Sequence, residues 1–224
     1  MKIFHPSKLG VNYVKDFIIG KVYNFLYNPI KMYISLEDSY VVRVPPELLN
    51  ENYDQAVLDA ARSVLEGKII DIENKDNVSI GKTYIISLES IKRIGDGSIV
   101  HGDGGVYQTI QYTALAYYPK MQEIVDGVVK SIQKFGAFIK FGPFEGLLHI
   151  SQIMDDSINV DLDNQILSGK DTKFLLKAGD KIRVKIVSLN LSSSSLSDSK
   201  IGLTAKQPGL GKEDWIKMIT SKIR

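Results

Sequence analysis

The alternation of apolar and polar positions changes character along the chain, and the changes mark the elements. The segment YISLEDSYVVRV, residues 33–44, is β-branched and aromatic and predicts a strand. Pro45 and Pro46 end it, and Pro46 suits the first turn of a short helix. Asp54 is the expected N-cap of the next helix, QAVLDAARSVLEG. Its apolar stripe is Val57, Ala60, Ala61, Val64 and Leu65, and Gly67 is its stop. A strand over 68–72, a polar turn over 74–77 and a strand over 82–94 follow, the last with Ile86, Leu88 and Ile91 apolar. The glycine-rich run GDGSIVHGDGG, residues 95–105, separates it from a β-branched, aromatic strand over 106–118 that leads into Pro119. A domain boundary is expected there.

Residues 121–206 predict five strands, over 124–132, 135–141, 145–150, 180–190 and 200–205. From Gly136, Ala137, Ile139 and Phe141 fall on one face, and Phe138 and Lys140 on the other. Gly142 and Pro143 break that strand. In the next, Leu148 and Ile150 point one way, Leu147 and His149 the other. In the fourth, Ile182, Val184 and Ile186 alternate with Lys181, Arg183 and Lys185. Ser151 is a plausible N-cap for a short helix after the third strand, and a polar loop is expected from there to Gly179. Five strands with a helix after the third is the layout of an OB barrel, whose second and third strands bind oligonucleotides. Ser192 to Ser195 reads as a flexible turn. The tail, 207–224, is helical after Gly211, with Trp215, Ile216 and Ile219 on one side, and packs its tryptophan against the body or a partner.

Composition narrows the chemistry. Among 224 residues there is no cysteine, which excludes disulfides and thiolate metal sites. His5, His101 and His149 are too scattered to suggest a metal centre, so no cofactor is expected, and an intracellular, cytoplasmic protein fits best. The net charge of +2 hides a split: +4 over 1–31, −5 over 32–120 and +3 over 121–224. Any nucleic-acid contact is therefore expected in the C-terminal half, with the acidic middle facing protein partners. Residues 1–31 hold apolar pieces too short for a membrane span, interrupted by Lys21. We expect the patterned chain to start at Met32, with 1–31 an upstream extension.

The glycine-rich run is not a phosphate loop: it fits neither GxGxxG nor GK[ST], and a strand follows it. Asp96, Asp103 and His101 within it invite a metal or acid–base reading, but Asp-Gly is first of all turn chemistry. Asp155 and Asp156 lack an adjacent base or nucleophile and read as solvated charges. No catalytic residue is assigned. The chemistry that stands out is an outer strand face carrying Phe135, Phe138, Lys140 and His149. Bases stack on aromatic rings and cations track phosphates, so such a face suits single-stranded nucleic acid. The alternative is that both rings are core and His149 is a buried, satisfied histidine.

The combined string FGAF followed by EGLLHIS resembles an S1-type RNA-binding domain. Together with VRVPPELL, GDGSIVHGDGGVYQTIQYTALAYYP and IGLTAKQPGLGKEDWI, it makes residues 32–224 similar to the E-prime subunits of archaeal RNA polymerase, counterparts of the seventh subunit of eukaryotic polymerase II. The resemblance implies an α+β chain, with a truncated RNP-like tip domain over 32–119 and a five-stranded S1/OB barrel over 121–206. It implies a non-catalytic stalk subunit that pairs with a small helical stalk partner (the F polypeptide of those polymerases), docks on the polymerase core and meets nascent single-stranded RNA. It carries RNA contact to Phe135, Phe138, His149, Asn190 and Lys200; the outward basic residues Lys140, Lys181, Arg183 and Lys185 are the candidates for phosphate contacts on such a face. Asn190 replaces the usual carboxylate. Protein contacts are implied for the tip residues Gly95, Asp96, Gly97, His101, Gly102, Asp103 and Gly104, with Trp215 as a further docking residue. The other reading is an S1 protein of translation or of an RNA-degrading assembly, which leaves the tip-like strings without a role.

Overall fold

A computed structural model describes residues 32–49, 52–73, 79–193 and 195–222. The expected start at Met32 with an extension over 1–31, and the turn over 74–77, concern residues outside these. The described chain falls into two compact units that divide between Tyr118 and Pro119.

The first unit is a four-stranded antiparallel sheet covered by one helix. Its elements are β1 (Tyr33–Val44), a 3-10 turn (Pro46–Leu48), α1 (Tyr53–Leu65), β2 (Ile69–Glu73), β3 (Ser79–Ile99) and β4 (Val106–Tyr117), in sheet order β1-β4-β3-β2. The cap of α1 is Asn52 rather than Asp54: the Asn52 side chain accepts from the Gln55 N–H at 3.2 Å. Asp54 sits in the first turn instead, paired with Arg93 at 2.6 Å. Val64 is exposed and Ala56 buried, so the buried stripe is Ala56, Val57, Ala60, Ala61 and Leu65.

β3 departs from simple alternation. Against β4, Ile85 pairs with Ala116 and Ser87 with Leu115, then Leu88 with Ala114 and Ser90 with Thr113, so Ile86 and Glu89 are extra residues. Two bulges convert a period of two into a period of three. Ile85, Leu88 and Ile91 face the helix, not Ile86, and join Val42, Val44, Val57, Ala61 and Ile110 in the core. Glu66 accepts from the Leu88 N–H at 2.8 Å, satisfying a bulge donor.

β3 also runs five residues beyond its expected end. A larger register shift between Ile94 and Ser98 lets it absorb Gly95, Asp96 and Gly97 and continue to Ile99, leaving only 100–105 as the turn. Gln108, fully buried, satisfies the irregular backbone by donating to the carbonyls of Ile94 and Gly95 at 3.2 and 3.3 Å. Gly97 lies so close that a Cβ there meets Val106 and the Tyr53 hydroxyl below 3 Å.

The second unit is a closed five-stranded barrel, ordered β11-β12-β7-β6-β5. Its strands are β5 (Ile124–Gln133), β6 (Gly136–Phe141), β7 (Phe144–His149), β11 (Lys181–Asn190) and β12 (Lys200–Thr204). Ala137, Ile139, Phe141, Leu148, Ile182, Val184 and Ile186 fill its interior. Between β7 and β11 the chain differs from expectation. The helix after Ser151 is a single 3-10 turn (Ile150–Gln152) capped by His149. The expected polar loop is a small sheet of β8 (Ile158–Asp161), β9 (Ile166–Gly169) and β10 (Leu175–Lys177), in order β10-β9-β8. Leu167 and Leu176 bury its inner face. Asp156 is not a free solvated charge: it accepts from Thr172 N–H at 2.8 Å, Thr172 Oγ at 2.7 Å and Asp171 N–H at 3.0 Å. These donors hold its carboxyl below the usual carboxylate range. Asp155 pairs with Lys206 at 2.7 Å. In the serine-rich turn, Ser195 caps the 3-10 turn Leu196–Asp198 and the Ser199 hydroxyl accepts from the Ser192 N–H.

The tail helix α2 (Glu213–Lys222) turns its tryptophan onto its own unit. Trp215, only 5% exposed, stacks on Phe174 with ring centroids 5.1 Å apart and planes 8° apart. Of the two placements expected for this ring, the body has it, and Trp215 is not presented for docking a partner. Met218 and Ile219 are exposed on the same helix.

Candidate nucleic-acid interface

Cross-strand register assembles the outer face of β6, β7 and β12. Phe138 lies opposite Leu147, Gly136 opposite His149 and Lys140 opposite Glu145. On the far side of β7, Gly202 lies beside Leu147, and Asn190 of β11 is opposite Lys200. The residues that alternate out of the core therefore form one surface: Phe138 and Lys140, then Glu145, Leu147 and His149, then Lys200 with Asn190.

The aromatic pair sits at the end of β6. Phe135 is 47% exposed and meets Phe138 edge to face, with centroids 6.1 Å apart at 89°. Neither ring is core, against the alternative reading; Phe138 is half-buried and Phe135 stands free on one side. The turn that places them depends on Gly136, whose φ is +151° and whose absent Cβ would lie 2.3 Å from the Leu148 carbonyl oxygen. His149 is likewise exposed rather than buried. Its Nδ1 accepts from the Ser151 N–H at 3.2 Å and meets the Ser151 hydroxyl at 2.8 Å. That network assigns the neutral ring's proton to Nε2, leaving Nε2–H as a donor.

The candidate cations divide. Among the described residues, Lys140, Lys181 and Lys200 hold no side-chain hydrogen bond or ion pair. By register Lys140 and Lys200 both fall in the row of Glu145, next to the row of Phe138, Leu147 and Gly202 and on the same side of it, while Lys181 lies opposite Val128, in line with Lys140 but two strands away. Arg183 and Lys185 are engaged elsewhere, which corrects the expectation that they stand open to phosphate. Arg183 donates to Asp126 at 3.0 Å, and its backbone is bridged to Gly211 of the tail. Lys185 reaches Gln207 at 3.3 Å.

Sequence reasoning missed one pair on this face. A bulge in β5, between Val129 and Ser131, adds Lys130, which pairs with Glu145 on β7 across the intervening strand. Alternation cannot signal a bulge, because the extra residue is defined only by its partner strand.

In the first unit, the tip residues form a braced hairpin. Asp103 accepts from Arg43 Nε at 2.8 Å, from the Tyr107 hydroxyl at 2.8 Å and from the Gly105 N–H at 3.0 Å. The Arg43 guanidinium holds the Asp103 carboxyl well below the usual carboxylate range. Gly95 and Gly102 have left-handed φ of +64° and +88° in open space. Asp96, Gly97, His101, Gly102 and Gly104 are exposed around the apolar Ile99 and Val100, and Ile99 is 74% exposed. Asp96 and His101 do not join Asp103 in a site, and among the described residues no acidic or histidine group is arranged to hold a metal. No described helix is long and apolar enough to cross a membrane.

Comparison with known proteins adds to this geometry. Residues 118–198 match the S1 RNA-binding domain, and residues 39–104 match the SHS2 domain found in the N terminus of Rpb7p/Rpc25p/MJ0397. The chain is 35% identical to DNA-directed RNA polymerase subunit Rpo7 of Sulfolobus acidocaldarius over 182 residues, 81% of this chain and 93% of that protein. Against Rpo7 of Saccharolobus solfataricus it is 32% identical over 83% of this chain and 97% of that protein. A ribonuclease R of Buchnera aphidicola is 29% identical, but the likeness spans only 18% of that protein. The structure and the two family matches agree with the expected α+β chain, an N-terminal domain followed by a five-stranded S1 barrel, the first domain matching the SHS2 type. Since the likeness runs through nearly the full length of the polymerase subunits and only a fraction of the nuclease, the chain belongs to the Rpo7 family of archaeal DNA-directed RNA polymerase subunits.

Proposed function

We propose that this chain is a non-catalytic stalk subunit of a multisubunit DNA-dependent RNA polymerase, acting in the cytoplasm, and that its barrel holds nascent single-stranded RNA. The observation that carries the RNA reading is the register of β6, β7 and β12. It gathers two partly exposed rings, a histidine with a free donor and two unpaired lysines on one outer face. Bases stack on Phe135 and Phe138, His149 Nε2–H donates to a base or sugar oxygen, and Lys140 and Lys200 neutralise phosphates. Asn190 adds an amide beside Lys200. Lys181 extends the phosphate track along β11.

The first unit docks on the polymerase core. Support comes from the braced hairpin: Arg43, Asp103 and Tyr107 hold residues 100–105 against β1, so Ile99 and Val100 are presented without a mobile-loop entropy cost on binding. Gly95, Asp96, Gly97, His101, Gly102 and Gly104 surround them. A small helical polypeptide completes the stalk, as the family resemblance implies.

The test is purification of the tagged chain from its own cells with identification of the companions by mass spectrometry. Polymerase subunits and one small helical protein in near-equal amounts are expected. Ribosomal proteins or RNA-degrading enzymes in their place overturn the polymerase reading and leave the barrel face to be explained on its own.

A further inference from the structure

The face described above is built almost entirely of hydrogen-bond donors. Lys140 and Lys130 lie on Phe138's own and neighbouring strands, the Nε2–H of His149 lies on β7, and Lys200 lies two strands away on β12 in the row of Lys140 and Glu145. One carboxylate interrupts them, Glu145. It lies opposite Lys140 and diagonal to Phe138, a separation of about 7–8 Å in an antiparallel pair and within reach of a long side chain. The other carboxylate turned outward nearby, Asp126, is held by Arg183 on the far side of β5.

Glu145 does not pair with its cross-strand neighbour. Its partner is Lys130, the bulge residue of β5, and Lys130 must cross β6 to reach it. The outward side chains of β6, the strand that the ion pair spans, are Phe138 and Lys140. The pair is exposed on both sides, and exposed pairs contribute little to stability. Its consequence is positional: Lys130 holds one oxygen of Glu145 beside the ring on which a base would stack, and the second oxygen is left open.

We propose that Glu145 is the base-discriminating group of this face and that it favours guanine. The inference rests on the reading of the barrel as an RNA platform. Guanine presents two adjacent donors, N1–H and N2–H: the open oxygen of Glu145 accepts one, and the second lone pair of the oxygen that Lys130 holds accepts the other. Adenine, cytosine and uracil each place an acceptor beside their donor on the same edge, and that acceptor is repelled by the carboxylate. Lys130 is a positioning residue in this scheme, and Glu145 is the group that touches the base.

The experiment measures binding of the full-length chain to fluorescent oligouridine and to the same oligomer carrying one central guanine, which forms no quadruplex. The guanine oligomer is expected to bind about tenfold tighter, the scale of a hydrogen bond to a charged group. In Glu145→Ala that advantage is lost, while plain oligouridine binds at least as tightly because an anion has left the phosphate track. Glu145→Gln keeps the bulk and is expected to lose most of the advantage, since its amide N–H₂ confronts guanine's donors. A guanine advantage that survives in both variants, or is missing in the wild type, overturns the assignment. If oligouridine binds and Phe135→Leu weakens it but guanine confers nothing, only the role of Glu145 falls. If oligouridine does not bind at all, the RNA platform falls with it.

Discussion

Replacing Phe135 by leucine separates the two roles an aromatic residue plays here. The ring is 47% exposed, so roughly half of a side-chain burial free energy is at stake, and leucine restores most of that. What leucine cannot restore is the edge-to-face contact with Phe138, about 0.5–1.5 kcal/mol, and the flat π-face. The expected structural cost is therefore on the order of 1 kcal/mol, small against the roughly 5–15 kcal/mol of a typical domain. A base stacked on the ring is worth roughly 1–3 kcal/mol, which corresponds to an increase in Kd of about 5- to 150-fold. Fluorescence anisotropy with labelled oligouridine reads the binding. Urea unfolding followed by tryptophan emission reads the folding, and Trp215, the sole tryptophan, reports on the barrel unit that carries Phe135. A variant whose unfolding midpoint barely moves and whose Kd changes less than about twofold refutes the stacking role. It would mean that the ring serves only its contact with Phe138.

Three further outcomes are expected. RNA binding should weaken with salt with a log–log slope of about −2 if Lys140, Lys181 and Lys200 each neutralise one phosphate, and Lys140→Ala should flatten it by about 0.7; a slope near zero excludes the electrostatic part. Gly136→Ala forces a Cβ against the Leu148 carbonyl at a φ that L-residues avoid, so the barrel should lose on the order of 3 kcal/mol, read as a lower urea midpoint. Asp156 has its folded pKa lowered by Thr172, so its contribution is complete above the ordinary carboxylate pKa near 4 and fades as pH falls through the lowered value. Between about pH 5 and pH 3 the wild type should therefore lose more stability than Asp156→Asn, and equal losses in urea midpoints across that window count against the clamp.

Much of this fold follows from local rules that sequence alone expresses. Ala137, Ile139 and Phe141 alternate with Phe138 and Lys140 because successive strand side chains point to opposite faces, and that holds whatever the partner strand is. Pro45, Pro46, Gly67 and Pro119 limit backbone conformation directly, so the element ends they mark are legible at a glance. The scarcity of histidine and absence of cysteine, and the split of charge along the chain, are likewise properties of the sequence itself.

Other features exist only once distant segments meet. Ile86 stands with Leu88 and Ile91 as an apolar position of its strand, and only two bulges against β4 make Ile85, Leu88 and Ile91 the set that faces the helix. Lys130 reads as one more surface lysine until a bulge against β6 carries it to Glu145. Arg183 and Lys185 alternate outward as expected, but their availability depends on Asp126 and Gln207, one 57 and the other 22 residues away. Trp215 finds Phe174 through a small sheet that the sequence suggested was loop. In each case the deciding quantity is a pairing register or a tertiary neighbour. Local alternation says which way a side chain points, and only the folded sheet says what it finds there.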